Sequence, residues 1–101
     1  MTLRCDDQEK LLELAKGWDI QQARSDIMGY AGMRVLADRD EPGSYLIIAN
    51  FGVIDPDVSA AEEARRNDAR PETQESAARL REIVEGQITY GHYDEVYRTD
   101  P

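Results

Sequence analysis

The sequence predicts an α+β domain in which one four-stranded antiparallel sheet carries both helices on a single face, with elements in the order β-α-β-β-α-β. Three observations lead there. Residues 44–51, Ser-Tyr-Leu-Ile-Ile-Ala-Asn-Phe, form an apolar and β-branched run that suits a central strand covered on both faces. Residues 30–37 alternate with the two-residue period of a strand, and the turn-forming Asp38–Gly43 joins them to that run as an antiparallel hairpin. On either side of the hairpin stands a segment with helix start signals and helical spacing of its apolar residues.

Taken in order, residues 2–5 make a short first strand. Asp6 followed three residues later by Glu9 resembles a capping box, so a helix begins near residue 7. Leu11, Leu14, Ala15 and Trp18 share one face of it, and the polar run Asp19–Ser25 continues the helix to about residues 26–28, before Gly29. In the second strand Ala31, Met33, Val35 and Ala37 face one way and Tyr30, Gly32, Arg34 and Leu36 the other. In the third, Tyr45, Ile47, Ala49 and Phe51 oppose Leu46, Ile48 and Asn50. Residues 52–56 connect to a second helix that starts after Ser59 and carries the i,i+4 pair Glu62 and Arg66. Residues 67–71 interrupt it. Pro71 opens a further helical segment with Thr73, Ala77, Leu80 and Val84 on one side, the pair Glu75 and Arg79 on the solvent side, and Gly86 as its stop. The last strand spans 88–98 and holds three of the five tyrosines.

At 101 residues the chain is a single ferredoxin-like domain, residues 1–101. With 21 acidic against 12 basic residues its net charge is −9, which disfavours nucleic acid and anionic membrane as partners. No stretch approaches the ~20 apolar residues of a spanning helix, and no secretory signal is seen at the start, so the expected location is the cytoplasm. The single cysteine, Cys5, reads as a small buried residue of the first strand. Helices on one face leave the other face of the sheet bare, although the central strand asks for two covers. A second copy of the chain, packed sheet to sheet in a homodimer, supplies the missing one.

The series Gly29–Asp38, then Pro42–Phe51, then Pro71-Glu72-Thr73-Gln74 and the closing Tyr93–Arg98 resembles the antibiotic biosynthesis monooxygenase-like family. The resemblance implies membership of the dimeric α/β-barrel superfamily, in which two ferredoxin-like sheets pair into one barrel. It also implies a choice between cofactor-independent oxygenases, haem-degrading enzymes and members without assigned chemistry. Two positions depart from the family pattern: Phe51 stands where many members carry Trp, and the second helix has Gln74 and Glu75 where the haem-degrading group has histidine. The second departure argues against haem degradation.

His92 is the only histidine, so no histidine-based metal cluster forms within one chain, and neither a phosphate loop nor a nucleophile elbow is present. Neither a metal nor a cofactor is expected. Trp18, Tyr30, Arg34 and Asn50 are expected to converge where the first helix meets the sheet, with Phe51 beside them, as an aromatic cleft with an amide and a cation. The plainer roles are core packing for Trp18, a cross-strand ion pair for Arg34 and a place in the dimer interface for Tyr30. The enzymatic expectation is a cofactor-independent oxygenase acting on an aromatic or polyketide-like small molecule. His92 or Tyr30 takes a proton from the substrate, Asn50 and Arg34 hold the anion, Trp18 and Phe51 bind the ring, and the carbanion reacts directly with oxygen. The alternative is a noncatalytic dimeric module that binds such a molecule.

Overall fold

The computed structural model describes residues 1–25, 29–52 and 57–100. Strands β1 (Thr2–Arg4), β2 (Tyr30–Ala37) and β3 (Ser44–Phe51) form one antiparallel sheet in the order β1-β3-β2, so the apolar run is the central strand. Helices α1 (Gln8–Ser25), α2 (Ala60–Asp68) and α3 (Pro71–Ile83) complete the chain. Local chemistry sets their ends. The N–H of Lys10 donates to Asp7 Oδ1 at 3.1 Å, so Asp7 caps α1, one residue after the acid that the spacing suggested. Ser59 Oγ accepts from the N–H of Glu62 at 3.1 Å and caps α2, and Pro71 opens α3 after the expected break. The predicted ion pair Glu75–Arg79 forms at 2.6 Å, and Glu62 meets both Arg65 and Arg66. Helix α3 ends at Ile83 rather than at Gly86, because Val84 already has extended backbone and bridges to Cys5. The predicted end of α1 at 26–28, and most of the 52–56 connection, fall outside the described residues.

Register decides which side chains make the core. Leu3 lies opposite Tyr45 and Val35 opposite Ile47, which puts all four on the face toward the helices. There Leu3, Cys5, Leu11, Tyr45 and Ile47 are buried, with Leu80, Ile83 and Val84 packed against them. The hydroxyl of Tyr45 donates to Gln8 Oε1 at 3.1 Å, so the buried phenol has a partner. On the other face Leu36 lies opposite Leu46 and Arg34 opposite Ile48. Leu36 keeps 41% and Leu46 38% of its surface, so the chain itself does not cover this face of its central strand.

Two expectations are corrected. The sheet has three strands among the described residues, not four. The predicted strand 88–98 does not form, and residues 84–89 meet the edge of β1 only through isolated bridges at Cys5–Val84 and Thr2–Thr89. The reason is register: Thr89 already stands opposite the first residue of β1, so the chain from Tyr90 onward runs past the end of that strand with nothing to pair with. Residues 90–100 have no regular structure and are exposed, with Tyr93 at 91% and Val96 at 96%. The second correction concerns β2. An extra residue stands between Tyr30 and Met33 relative to β3, a β-bulge centred on Ala31 and Gly32, with Gly32 at φ +98°. The bulge reverses the alternation, so Tyr30 joins Met33 and Val35 on the helix side and leaves Arg34 and Leu36 on the other.

Candidate functional site

The site builds on that reversal. Tyr30 and Phe51 are cross-strand partners at the end of the hairpin, with ring centroids 5.4 Å apart and planes inclined at 58°. Trp18, on the inward stripe of α1, meets Tyr30 edge to face, with centroids 5.6 Å apart and planes at 90°. Below the rings the backbones close tightly: Gly52 N–H donates to Gly29 O at 2.8 Å. Gly29 sits at φ +59°, and a Cβ there would lie 3.1 Å from Gly52 O, so both the conformation and the spacing call for glycine.

Polarity enters through Asp19. The Tyr30 hydroxyl donates to Asp19 Oδ1 at 2.5 Å. Burial raises the cost of the phenolate, and the hydrogen bond to Asp19 and the charge of that carboxylate add to it, so the pKa of Tyr30 stands well above its ordinary value. At neutral pH Tyr30 is a committed donor. Its predicted role as a proton acceptor does not suit this position.

The structure therefore brings together Trp18, Tyr30 and Phe51 and keeps the other predicted residues apart from them. Arg34 and Asn50 are exposed, Arg34 on the uncovered sheet face and Asn50 in alternation with Phe51, so no single cleft holds all four of Trp18, Tyr30, Arg34 and Asn50 within one chain. His92 lies in the exposed segment 90–100. Two residues of the site were not anticipated. Asp19 follows Trp18 directly. Gln22, at 1% exposure, stands one turn beyond Trp18 and extends the Leu11, Ala15, Trp18 stripe. That position on an otherwise apolar stripe was the signal available for it.

A wide groove of about 480 Å³ lies at the opposite sheet edge, lined by Arg81, Gly86, Gln87, Ile88 and Tyr90. It is open to solvent, and none of its lining residues is buried, so we place the candidate site at the aromatic cluster instead. Among the described residues no group of three His, Cys, Asp or Glu side chains could hold a metal ion, and no helix is long and apolar enough to cross a membrane.

Fold and cluster together define the class: a one-sheet α+β domain with helices on one face and an aromatic, tyrosine-bearing cluster at the end of its hairpin. No family model matches the chain, and no curated protein matches it. Among solved structures it is similar to that of a "putative antibiotic biosynthesis monooxygenase" from Deinococcus radiodurans, with a TM-score of 0.61 and 20% identity, covering 98% of this chain and 94% of that one. The chain thus has the antibiotic biosynthesis monooxygenase-like fold, as the sequence resemblance implied.

Proposed function

We propose that this protein binds a small aromatic or polyketide-like molecule against Trp18, Tyr30 and Phe51 and oxidises it as a cofactor-independent monooxygenase. The observation that carries the reading is the cluster itself: three aromatic rings with one phenol held protonated by a carboxylate. The name of the structural neighbour supports the reaction class. In such a reaction a substrate CH₂ activated by its ring loses a proton, and the carbanion combines with O₂. The CH₂ leaves as a carbonyl, one oxygen atom entering it and the other departing as water with the two hydrogens. Tyr30 serves here as a donor, and the proton acceptor is His92, the only histidine, which lies apart from the rings within one chain and is brought to them in this reading by the second copy.

The protein acts as a homodimer in this reading. The bare sheet face with Leu36 and Leu46, the unpaired edge of β2 and the exposed segment after Thr89 support a second copy as the missing cover. A noncatalytic binding module is the second reading, favoured by the separation of Arg34, Asn50 and His92 from the rings.

Trp18 is the only tryptophan, so its fluorescence reports the site directly. Titration with polycyclic phenols and anthrones, alongside oxygen uptake, separates the readings. Quenching with uptake that is lost in His92→Ala and Tyr30→Phe supports the oxygenase. Quenching without uptake supports the module, and no response from Trp18 overturns both.

A further inference from the structure

Gln22 is the most buried polar side chain described, and its Oε1 has no hydrogen-bond partner. Protein interiors rarely leave such an atom alone, because its lost hydration is not replaced. The other buried side-chain atom in this condition, Glu72 Oε2, lies 3.5 Å from Arg70 Nε, so its charge is at least met by an ion pair. Gln22 has no such neighbour. It also sits one helical turn from Trp18 of the aromatic cluster on the same stripe, on the helix that supplies Asp19 to Tyr30.

The polarity there has one sign. The Tyr30 hydroxyl is spent on the Asp19 carboxylate, and the polar atom left without a partner on the Trp18 stripe is an acceptor, the amide oxygen of Gln22. We propose that Gln22 determines specificity: its Oε1 accepts a hydrogen bond from an O–H or N–H group on the bound aromatic. The protein thereby selects hydroxylated rings over their O-methyl ethers and over quinones, which bring no donor. This rests on the aromatic-binding reading above.

The test uses the full chain and isothermal titration calorimetry with naphthol, methoxynaphthalene and naphthoquinone. Wild type is expected to bind naphthol about tenfold or more tighter than the other two, because a site that hydrogen-bonds a hydroxyl discriminates against analogues lacking it. Gln22→Met keeps the length and flexibility of the side chain but removes the acceptor. It should bind naphthol and its ether about equally and melt no lower than wild type, since an orphaned polar atom has been removed. Gln22→Glu retains an acceptor and should keep the preference for naphthol. Equal binding of all three by wild type, or an unchanged preference in Gln22→Met, overturns the role of Gln22 while leaving the aromatic site standing. A marked fall in melting temperature of Gln22→Met shows the amide already satisfied and overturns it as well. Wild type that binds none of the three overturns the aromatic reading itself. Equal binding by wild type overturns the proposal even where a variant fails to fold.

Discussion

Replacing Tyr30 by Phe removes one hydroxyl and preserves both ring contacts, so its effect isolates the bond to Asp19. That bond is 2.5 Å long and ends on a carboxylate. Hydrogen bonds to charged groups contribute ~1.5–3 kcal/mol. Tyr30 and Asp19 are both only half-buried, and solvent screening reduces the expected value to ~1 kcal/mol. In a chain of this size ~1 kcal/mol moves the melting temperature by ~4–8 °C. Asp19→Ala removes the acceptor, so the cycle through both single variants and the double variant should give a coupling of ~1 kcal/mol at neutral pH. Thermal unfolding followed by circular dichroism measures it, at one fixed protein concentration because association shifts the midpoint. The pair also has a pH signature. Because the folded protein holds the Tyr30 proton more tightly than the unfolded chain does, the contribution is fully present below the ordinary tyrosine pKa of ~10 and is lost as pH rises through the higher folded value. Wild type should therefore lose stability more steeply than Tyr30→Phe above pH ~10. A coupling near zero, together with parallel alkaline profiles, would refute the assignment of Tyr30 as a donor fixed by Asp19.

Two further outcomes follow from the backbone and the sheet. Gly29→Ala places a Cβ at φ +59° and 3.1 Å from Gly52 O, and should destabilise the fold by ~1–2 kcal/mol in urea unfolding; an unchanged midpoint would mean that the two backbones are not in close approach. Leu46→Asp puts a charge in the middle of the uncovered sheet face and should weaken the dimer, raising the monomer fraction seen by light scattering, with secondary structure intact. Wild type that is already monomeric at micromolar concentration contradicts the dimer.

The parts of the fold that were legible in the sequence rest on local chemistry. Asp38–Gly43 makes its turn, Ser59 its cap and Pro71 its helix start with contacts only a few residues away, and the apolar run of β3 needs no partner to be recognised. The segment after Thr89 shows the opposite case. Its tyrosines and valine have strand propensity, but a strand forms only where another offers its edge, and β1 ends too soon to do so. The site was half legible for a similar reason. Trp18 and Phe51 follow from helical and strand periodicity, whereas the face taken by Tyr30 depends on a bulge that one residue at Gly32 introduces. Counting by twos from Tyr30 joins it to Arg34; the bulge separates them. Asp19 and Gln22 lie in a polar run whose composition does not say which side each faces; helical spacing puts Gln22 on the Trp18 stripe, and the packing of α1 buries it there.

The same segment decides how a second copy would be held. Full burial of a leucine contributes ~1.5–3 kcal/mol. With 41% and 38% of their surfaces exposed, Leu36 and Leu46 gain ~1 kcal/mol each when the face closes. Against an association cost of ~4–15 kcal/mol, those leucines from two copies do not hold a dimer. Tyr93 at 91%, Val96 at 96% and Tyr97 at 81% expose far more apolar surface per residue, and among the described residues their backbone has no strand partner and the outer edge of β2 is unpaired. Docking the segment on the other copy satisfies both deficits at once. Deleting the chain after Thr89 should accordingly abolish association more completely than Leu46→Asp does, while the core of Leu3, Leu11, Tyr45 and Ile47 keeps each monomer folded. A truncated chain that still dimerises with wild-type affinity would place the whole interface on the sheet face and refute the energetic argument for the segment.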